Sequence, residues 1–190
     1  LFSGTSFGFE EDMKKYVWDI ITKKSSIHFK VKYLQISNIS GYFARFKGEV
    51  ITGEFFINPE VSLIIETNSI ETLDPNWNKI LKTDTSLAEQ QYPYLRFNSK
   101  GGCNQSSGKI WELTGDLSVK NVKSQITMVV SMSSIKKNSK NPVALFRLFG
   151  KVSRKSLGLS CMEEDLEDEV HVAVEIYLIR RPPGTGDRVL

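Results

Sequence analysis

The feature that most constrains this chain is an alternation of apolar and polar residues, with period two, that recurs along most of its length. In Ser26 to Tyr33, Ile27, Phe29, Val31 and Tyr33 alternate with His28, Lys30 and Lys32, and from Glu169 to Arg180, Val170, Val172, Val174, Ile176 and Leu178 alternate with mixed partners. Successive side chains of a strand point to opposite faces, so each run predicts a strand with one face buried and one in solvent. The same pattern joins Val61, Leu63 and Ile65; Leu95 and Phe97; Trp111 and Leu113; Leu117 and Val119; and Ile126, Met128, Val130 and Met132. Turn signals at Asn38 to Gly41, Asn58 and Pro59, Gly101 to Gly108, Lys120 to Lys123 and Asn138 to Pro142 are spaced for an antiparallel meander. Leu73 to Gln91 breaks the pattern. It has few β-branched residues, charges throughout, and Trp77, Ile80, Leu81 and Leu87 near helical spacing, which predicts a helical excursion.

About eight or nine strands with one apolar face each must close on themselves or pair as two sheets, because open edges invite aggregation. The expected class is all-β: an antiparallel up-and-down barrel of about eight strands with a short helical excursion. Its inward set includes Phe29, Phe43, Phe46, Phe97, Trp111 and Phe146. These suit either a solid core or an elongated apolar pocket, and the period does not separate the two, because plug and lining use the same positions. Residues 14–180 form the expected barrel domain. Residues 1–13 read as an N-terminal extension, and 181–190, with Pro182, Pro183, Gly184 and Gly186, as a flexible tail. An opening Leu1 is what a processed or trimmed chain shows, while Leu1 to Phe9 lacks the basic start and long apolar stretch of an intact signal peptide.

Lys and Arg number 25 against 22 Asp and Glu, a formal net charge of +3, yet six of the acids fall in the seven positions from Glu163 to Glu169. The rest of the chain is accordingly basic. Such a surface suits a phosphate head group, a membrane surface or nucleic acid, or simply keeps the protein in solution. A nucleic-acid reader needs basic and aromatic residues on one exposed face; the aromatics here mostly occupy the apolar face, so nucleic acid is not expected as a partner. No window approaches the ~20 uncharged apolar residues of a spanning helix, so no membrane span is expected.

The inventory for catalysis is poor. His28 and His171 are the only imidazole bases, and both alternate with apolar residues, which points them away from the buried face. GxSxG, HExxH and GxxxxGKS/T strings are absent, and Asp19, Glu49, Glu66, Asp116 and Glu175 show no spacing that singles out a pair. The acidic run lacks the spaced Asp/Asn pattern and the Gly of an EF-hand loop. Cys103 and Cys161 sit in no zinc-like pattern, so neither a metal nor another cofactor is expected. In a meander Cys103 falls in one hairpin loop and Cys161 in a loop an odd number of strands later, at opposite ends and too far apart for a disulfide.

A series of short blocks then stands in a fixed order. Trp18, Ile20, Ser25, Ile27, Phe29 and Val31 lead to Ser37, Ile39, Gly41, Phe43, Phe46 and Gly48 (G-x-F-x-x-F-x-G), and then to Thr67, Ser69, Ile70 and Thr72 (S-I-x-T). After Leu81 come Tyr92, Pro93 and Phe97 (Y-P-x-x-x-F), Leu113 to Leu117 with Val119 (L-T-G-D-L-x-V), and Arg154, Leu157, Gly158 and Leu159 (R-x-x-L-G-L). In order and spacing these blocks resemble the YceI-like family of lipocalin-type barrels, the polyisoprenoid-binding proteins, over nearly all of Tyr16 to Ile179. The resemblance implies an elongated apolar pore along the barrel axis that shelters a long-chain isoprenoid or similar apolar lipid, as carrier or store, with no catalysis. It also implies a bacterial periplasmic or secreted setting, a cytoplasmic one being the alternative, and leaves room for a homodimer. The chain departs from the family at polar positions: Ile21 stands for an Asp, Lys24 and Tyr33 for His, Trp77, Asn78 and Ile80 for an Arg-Asp-His set, and Asn121 for a turn glycine.

With the pore open, its expected lining is Phe29, Val31, Phe43, Phe46, Ile65, Phe97, Leu113, Leu117, Met128 and Val130, the residues of the alternating face. Lys151, Arg154 and Lys155 are the expected contacts for an anionic head group at a mouth. With the pore plugged by Tyr33, Trp77 and Ile80, the chain is instead a ligand-free scaffold acting through its surface. A hydrolase or isomerase working in a polar pore is the third reading, and it would depend on His28 or His171.

Overall fold

The computed structural model describes residues 14–101, 103–107, 110–137 and 140–182; the expected extension 1–13 and the tail from 183 to 190 lie outside the described residues. The strands are β1 (Tyr16–Ile20), β2 (Ser26–Tyr33), β3 (Ser37–Phe43), β4 (Phe46–Thr52), β5 (Glu60–Glu66), β6 (Ile70–Thr72), β7 (Tyr94–Lys100), β8 (Cys103–Ser107), β9 (Ile110–Val119), β10 (Val122–Lys136), β11 (Val143–Ser153) and β12 (Leu166–Arg180), with one helix, α1 (Pro75–Lys82), between β6 and β7. They act as eight. β1 runs on into β2, β3 into β4, β5 into β6 and β7 into β8, each pair forming one long strand broken by a short turn. The ring runs β1, β4, β5, β7, β9, β10, β11, β12 and returns to β1, every pairing antiparallel. This is the closed eight-stranded up-and-down barrel with one short helix that the alternation predicts.

The breaks are built from small hydroxyl residues. Ser25 ends the turn between β1 and β2; its Oγ donates to the Ile21 carbonyl at 2.9 Å and accepts from the Tyr177 N–H at 3.0 Å, stitching the bend to β12. Ser69, buried between β5 and β6, donates to the Glu66 carbonyl at 2.7 Å and accepts from the Arg45 N–H at 3.1 Å. Thr67, fully buried, donates to the Tyr92 carbonyl at 2.8 Å. A buried backbone group without a partner costs about as much as a lost hydrogen bond, so these hydroxyls let two strands bend at one corner without orphaning their amides and carbonyls.

Beyond that corner lies the helix end of the barrel, which carries the β2–β3 turn, β6, α1, the β9–β10 turn and the loop 154–165. Asp74 caps α1, its Oδ1 accepting from the Asn76 N–H at 2.8 Å, and Pro75 occupies the first turn. The helix stops at Lys82, short of the expected Gln91, because Thr83 turns back onto the Ile80 carbonyl and Ala88 takes a left-handed φ of 48°. Residues 83–91 fold as turns that tuck Leu87 and Ala88 into the core.

Two expected turns are strands. Asn38 to Gly41 lies inside β3, and the chain reverses earlier, at Leu34 and Gln35, whose φ angles are 50° and 57°. Gly41 is not a turn residue: a methyl built there would meet the Glu71 carbonyl and the Phe29 ring, so the glycine serves close approach. Gly101 to Gly108 likewise contains β8, and Cys103 pairs with Leu113 of β9 rather than lying in a loop. Leu113 is six residues along β9 from Val119, roughly 20 Å of strand, and Val119 borders the helix end where Cys161 is buried as a free thiol.

Arg154 also differs from its expected place. Its guanidinium does not face a mouth but is 4% exposed and donates to the carbonyls of Leu159, Cys161, Leu166 and Glu167 at 3.0–3.3 Å. It knots the loop 154–165, since only a planar, permanently charged fork satisfies so many carbonyls at once. A bulge in β12 lets Asp168 join this knot, because Leu166 to Val170 stand against only Tyr33 to Val31 of β2. The Asp168 carboxylate accepts from the Lys155 N–H and the Ser153 hydroxyl, both at 2.8 Å. The Lys155 amide, opposed by partial burial and aided by Ser153, holds its pKa below the usual carboxylate value.

A carboxyl held low contributes stability that is complete above its unfolded pKa, about 4, and is lost as the pH falls through its folded one. Asp168→Ala is expected to lower stability at neutral pH by about 1–2 kcal/mol. Melting both proteins between neutral and strongly acidic pH checks this: the gap in Tm should hold down to about pH 4 and narrow below it.

Candidate functional site

A cavity of about 220 Å³ occupies the barrel interior, and every described residue lining it is apolar. The inward faces of the eight strands supply the wall: Ile20 from β1, Val50 from β4, Leu63 and Ile65 from β5, Phe97 from β7, Leu113 and Leu117 from β9, Met128 and Val130 from β10, Phe146 and Leu148 from β11, Val174 and Ile176 from β12. The lining on β9 runs from Trp111 to Leu117, roughly 20 Å of strand, so the space is long and thin. Small inward residues make room for large ones across the strand boundary. A methyl at Gly115 would sit 2.5 Å from Cζ of Phe97, whose ring lies over that glycine.

Seven of the ten expected lining residues face this cavity: Phe43, Ile65, Phe97, Leu113, Leu117, Met128 and Val130. Phe29, Val31 and Phe46 keep the inward phase but lie beyond it. Val31 packs with Ile39, Cys161 and Leu166, and Phe46 with Ile27, Ile70 and Leu81. Phe29 and Val31 lie along β2 past the bend that follows β1, toward the helix-end cap, and Phe46 opens β4 directly after the bend that follows β3. Val172, Val174, Ile176 and Leu178 carry the same alternation in β12 and do line the cavity, a signal present in the sequence but not selected by it. Phe56 and Pro59 also line it, and no periodicity announces them, because both belong to the turn between β4 and β5.

Phe56 closes the β4–β5 end. It ends a single helical turn, Glu54–Phe56, with a left-handed φ of 61°, which costs a non-glycine residue roughly 1–2 kcal/mol. Its ring stands 4.7 Å from Trp18 and 4.8 Å from Phe146, contacts worth about 0.5–1.5 kcal/mol each. Burial of the ring adds up to about 1.5–3 kcal/mol to these contacts, so the closed position outweighs the backbone cost. At the helix end Tyr33 and Trp77 meet edge to face at 5.2 Å; neither they nor Ile80 enters the cavity lining.

Among the described residues no titratable side chain lines the cavity. His28 and His171 are exposed on the outer face, His28 beside Tyr42 at 5.9 Å and His171 with Nε2 at 3.0 Å from Glu169. Both border a broad external groove of about 870 Å³ across β2, β3 and β10 to β12, which is open to solvent and flanked by Lys30 and Lys151. Lys151 is paired with Glu169 at 2.8 Å, and this pairing, with His171 adding to it, holds the Glu169 pKa low. The described lining of the interior is of a kind that excludes water.

The chain belongs to the YceI-like domain family, whose profile matches residues 18–178. Over 114 residues it is 30% identical to a UPF0312 protein of Shewanella denitrificans, a match spanning 60% of this chain and 59% of that relative's length. BcnA of Burkholderia cenocepacia superposes with a TM-score of 0.72 at 18% identity, over 84% of this chain and 99% of BcnA. A polyisoprenoid-binding domain from Saccharophagus degradans, implicated in plant cell wall breakdown, superposes with a TM-score of 0.64 at 12% identity, over 85% and 97% of the two chains. At such identities these structures establish the shared fold.

Because Phe97 rests on Gly115, Gly115→Ala should force the ring from its rotamer and destabilise the barrel by about 1–3 kcal/mol. A lower urea midpoint at an unchanged slope is the expected reading.

Proposed function

We propose that the barrel binds a long apolar lipid, foremost a polyisoprenoid, in its interior, as carrier or store and without catalysis. The observation that carries this reading is the uninterrupted apolar lining from Phe56 and Pro59 at one end to Phe43 and Ile65 at the other. Each methylene taken from water into such a lining contributes about 0.8 kcal/mol, so a chain is retained by length alone. A polar head group finds no partner inside and stays at the mouth. The cavity is smaller than the ~300–1,000 Å³ of common small-molecule pockets, and its long, thin form suits one extended methyl-branched chain rather than a ring system. The fold shared with the Saccharophagus degradans domain supports the same ligand class.

Native mass spectrometry of freshly purified protein, followed by organic extraction, tests the reading. A stoichiometric linear isoprenoid, or uptake of one when added, is expected. Bare protein that refuses added isoprenoids of every length would overturn it and leave the barrel a scaffold acting through its surface.

A further inference from the structure

The two ends of the cavity are closed by different means. At the helix end the plug is core: Ile70, Leu81, Leu87, Val119, Val152 and Leu157 form one cluster, each no more than 9% exposed, and Arg154 knots the loop beside them through four carbonyls. Opening that end means unpacking the interior. At the β4–β5 end, among the described residues, the ring of Phe56 lies over Trp18 and Phe146 of the second core cluster. Phe56 sits there on a left-handed backbone, and the next residue, Ile57, points into water, 54% exposed. Swinging this turn outward breaks two ring contacts and the short hydrogen bonds of the turn itself, such as Gly53 N–H to the Ile57 carbonyl, and releases the backbone of Phe56 from its disfavoured conformation.

The surroundings of this end have a distinct chemistry. Lys14 and Lys15 precede β1, Lys100 ends β7 opposite Glu60, Lys136 ends β10, and Lys140 lies in the turn that follows. Carboxylates here are largely engaged: Glu60 with Lys15, Glu54 with the Tyr16 hydroxyl, and Asp19 and Glu49 both with Arg181. Ile57 and Ile110 stand exposed among the lysines. At the opposite end lie the exposed Glu163 and Glu164 of the acidic run. Lysines around exposed apolar side chains suit the boundary of an anionic bilayer, whereas the opposite end mixes the acidic run with Lys79, Lys120 and Lys155.

We propose that lipid is taken up and released through the β4–β5 end, with Phe56 as a displaceable stopper, while that end rests on an anionic bilayer. The proposal rests on the lipid-binding reading above.

Farnesol carried in phosphatidylcholine vesicles, with or without phosphatidylglycerol, is the probe. Its arrival is read by stopped-flow emission in a Trp77→Phe background, where Trp18 and Trp111 report from the β4–β5 end and the cavity. Uptake from the anionic vesicles should be about tenfold faster or more, with the advantage lost in high salt and in the Lys100→Glu, Lys136→Glu double variant. Phe56→Gly should speed uptake from both vesicles, and release, several-fold; Phe56→Leu, which keeps bulk in the mouth and guards against misfolding of the first, should fall between it and wild type. Tyr33→Ala, at the helix end, should leave the rates unchanged. Acceleration by Tyr33→Ala but not by either Phe56 variant would place the mouth at the helix end and overturn the proposal, and equal uptake from both vesicle types would overturn the bilayer contact. Farnesol binding with these rates unaltered sinks the route alone, whereas no binding by any variant sinks the lipid-binding reading with it.

Discussion

Closure of the sheet at β1 is the constraint on which the rest of the structure depends. This five-residue strand pairs with β4 on one side and β12 on the other, Trp18 standing opposite Val50 and Arg180. Without that seam, eight strands would each turn an apolar face to water and present two bare edges. With it, the faces meet and their burial, at roughly 25 cal/mol for each Å², becomes the main favourable contribution to folding. Arg181 reinforces the seam: its backbone N–H donates to the Val17 carbonyl at 2.8 Å, and its guanidinium grips Asp19 at 2.6 and 2.9 Å and Glu49 at 2.8 Å. Asp19 is the main reason its proton is held more tightly than usual. These groups are partly exposed, so the ion pairs align the seam more than they stabilise it.

A closed ring of strands still has two ends, and here they are finished by opposite strategies. The helix end is bound by directional contacts: Arg154 and Ser69 each satisfy several backbone groups at once, and Asp168 and Thr67 one each. Removing any one of them leaves buried polar atoms unpaired, which makes that end rigid. The β4–β5 end carries the ring of Phe56, set against Trp18 and Phe146 on a backbone that opposes the position.

Asn78, Tyr33 and Trp77, at the helix end, are committed to contacts within the fold. Asn78 accepts from the Thr72 N–H and hydroxyl at 2.7 Å and donates to Glu71 at 2.9 Å, so its side chain is committed to the corner between β6 and α1. Tyr33 and Trp77 cover Val31, Ile39, Cys161 and Leu166. None of them is among the residues that line the cavity.

Much of this was legible in the residues themselves. Period-two runs such as Ile126, Met128, Val130 and Met132 specify strands, their inward faces and the need for closure, because side-chain direction in a strand depends only on neighbours in sequence. Other features were misread for an equally physical reason: Asn38 to Gly41 has turn composition, yet Gly41 is there because the Phe29 ring and the Glu71 carbonyl crowd it from other strands. Arg154 looks like a surface charge until the loop 154–165 folds over it. Phe29, Val31 and Phe46 share the phase of the cavity lining and lose their place in it where the sheet bends, while Phe56 enters it from a turn. Sequence by itself determined the alternating faces and thus the class of fold. Only the tertiary structure decided that the interior holds a thin cavity rather than a plug, and which side chains close on each end, because those depend on how far each strand bends and on side chains brought together from distant positions.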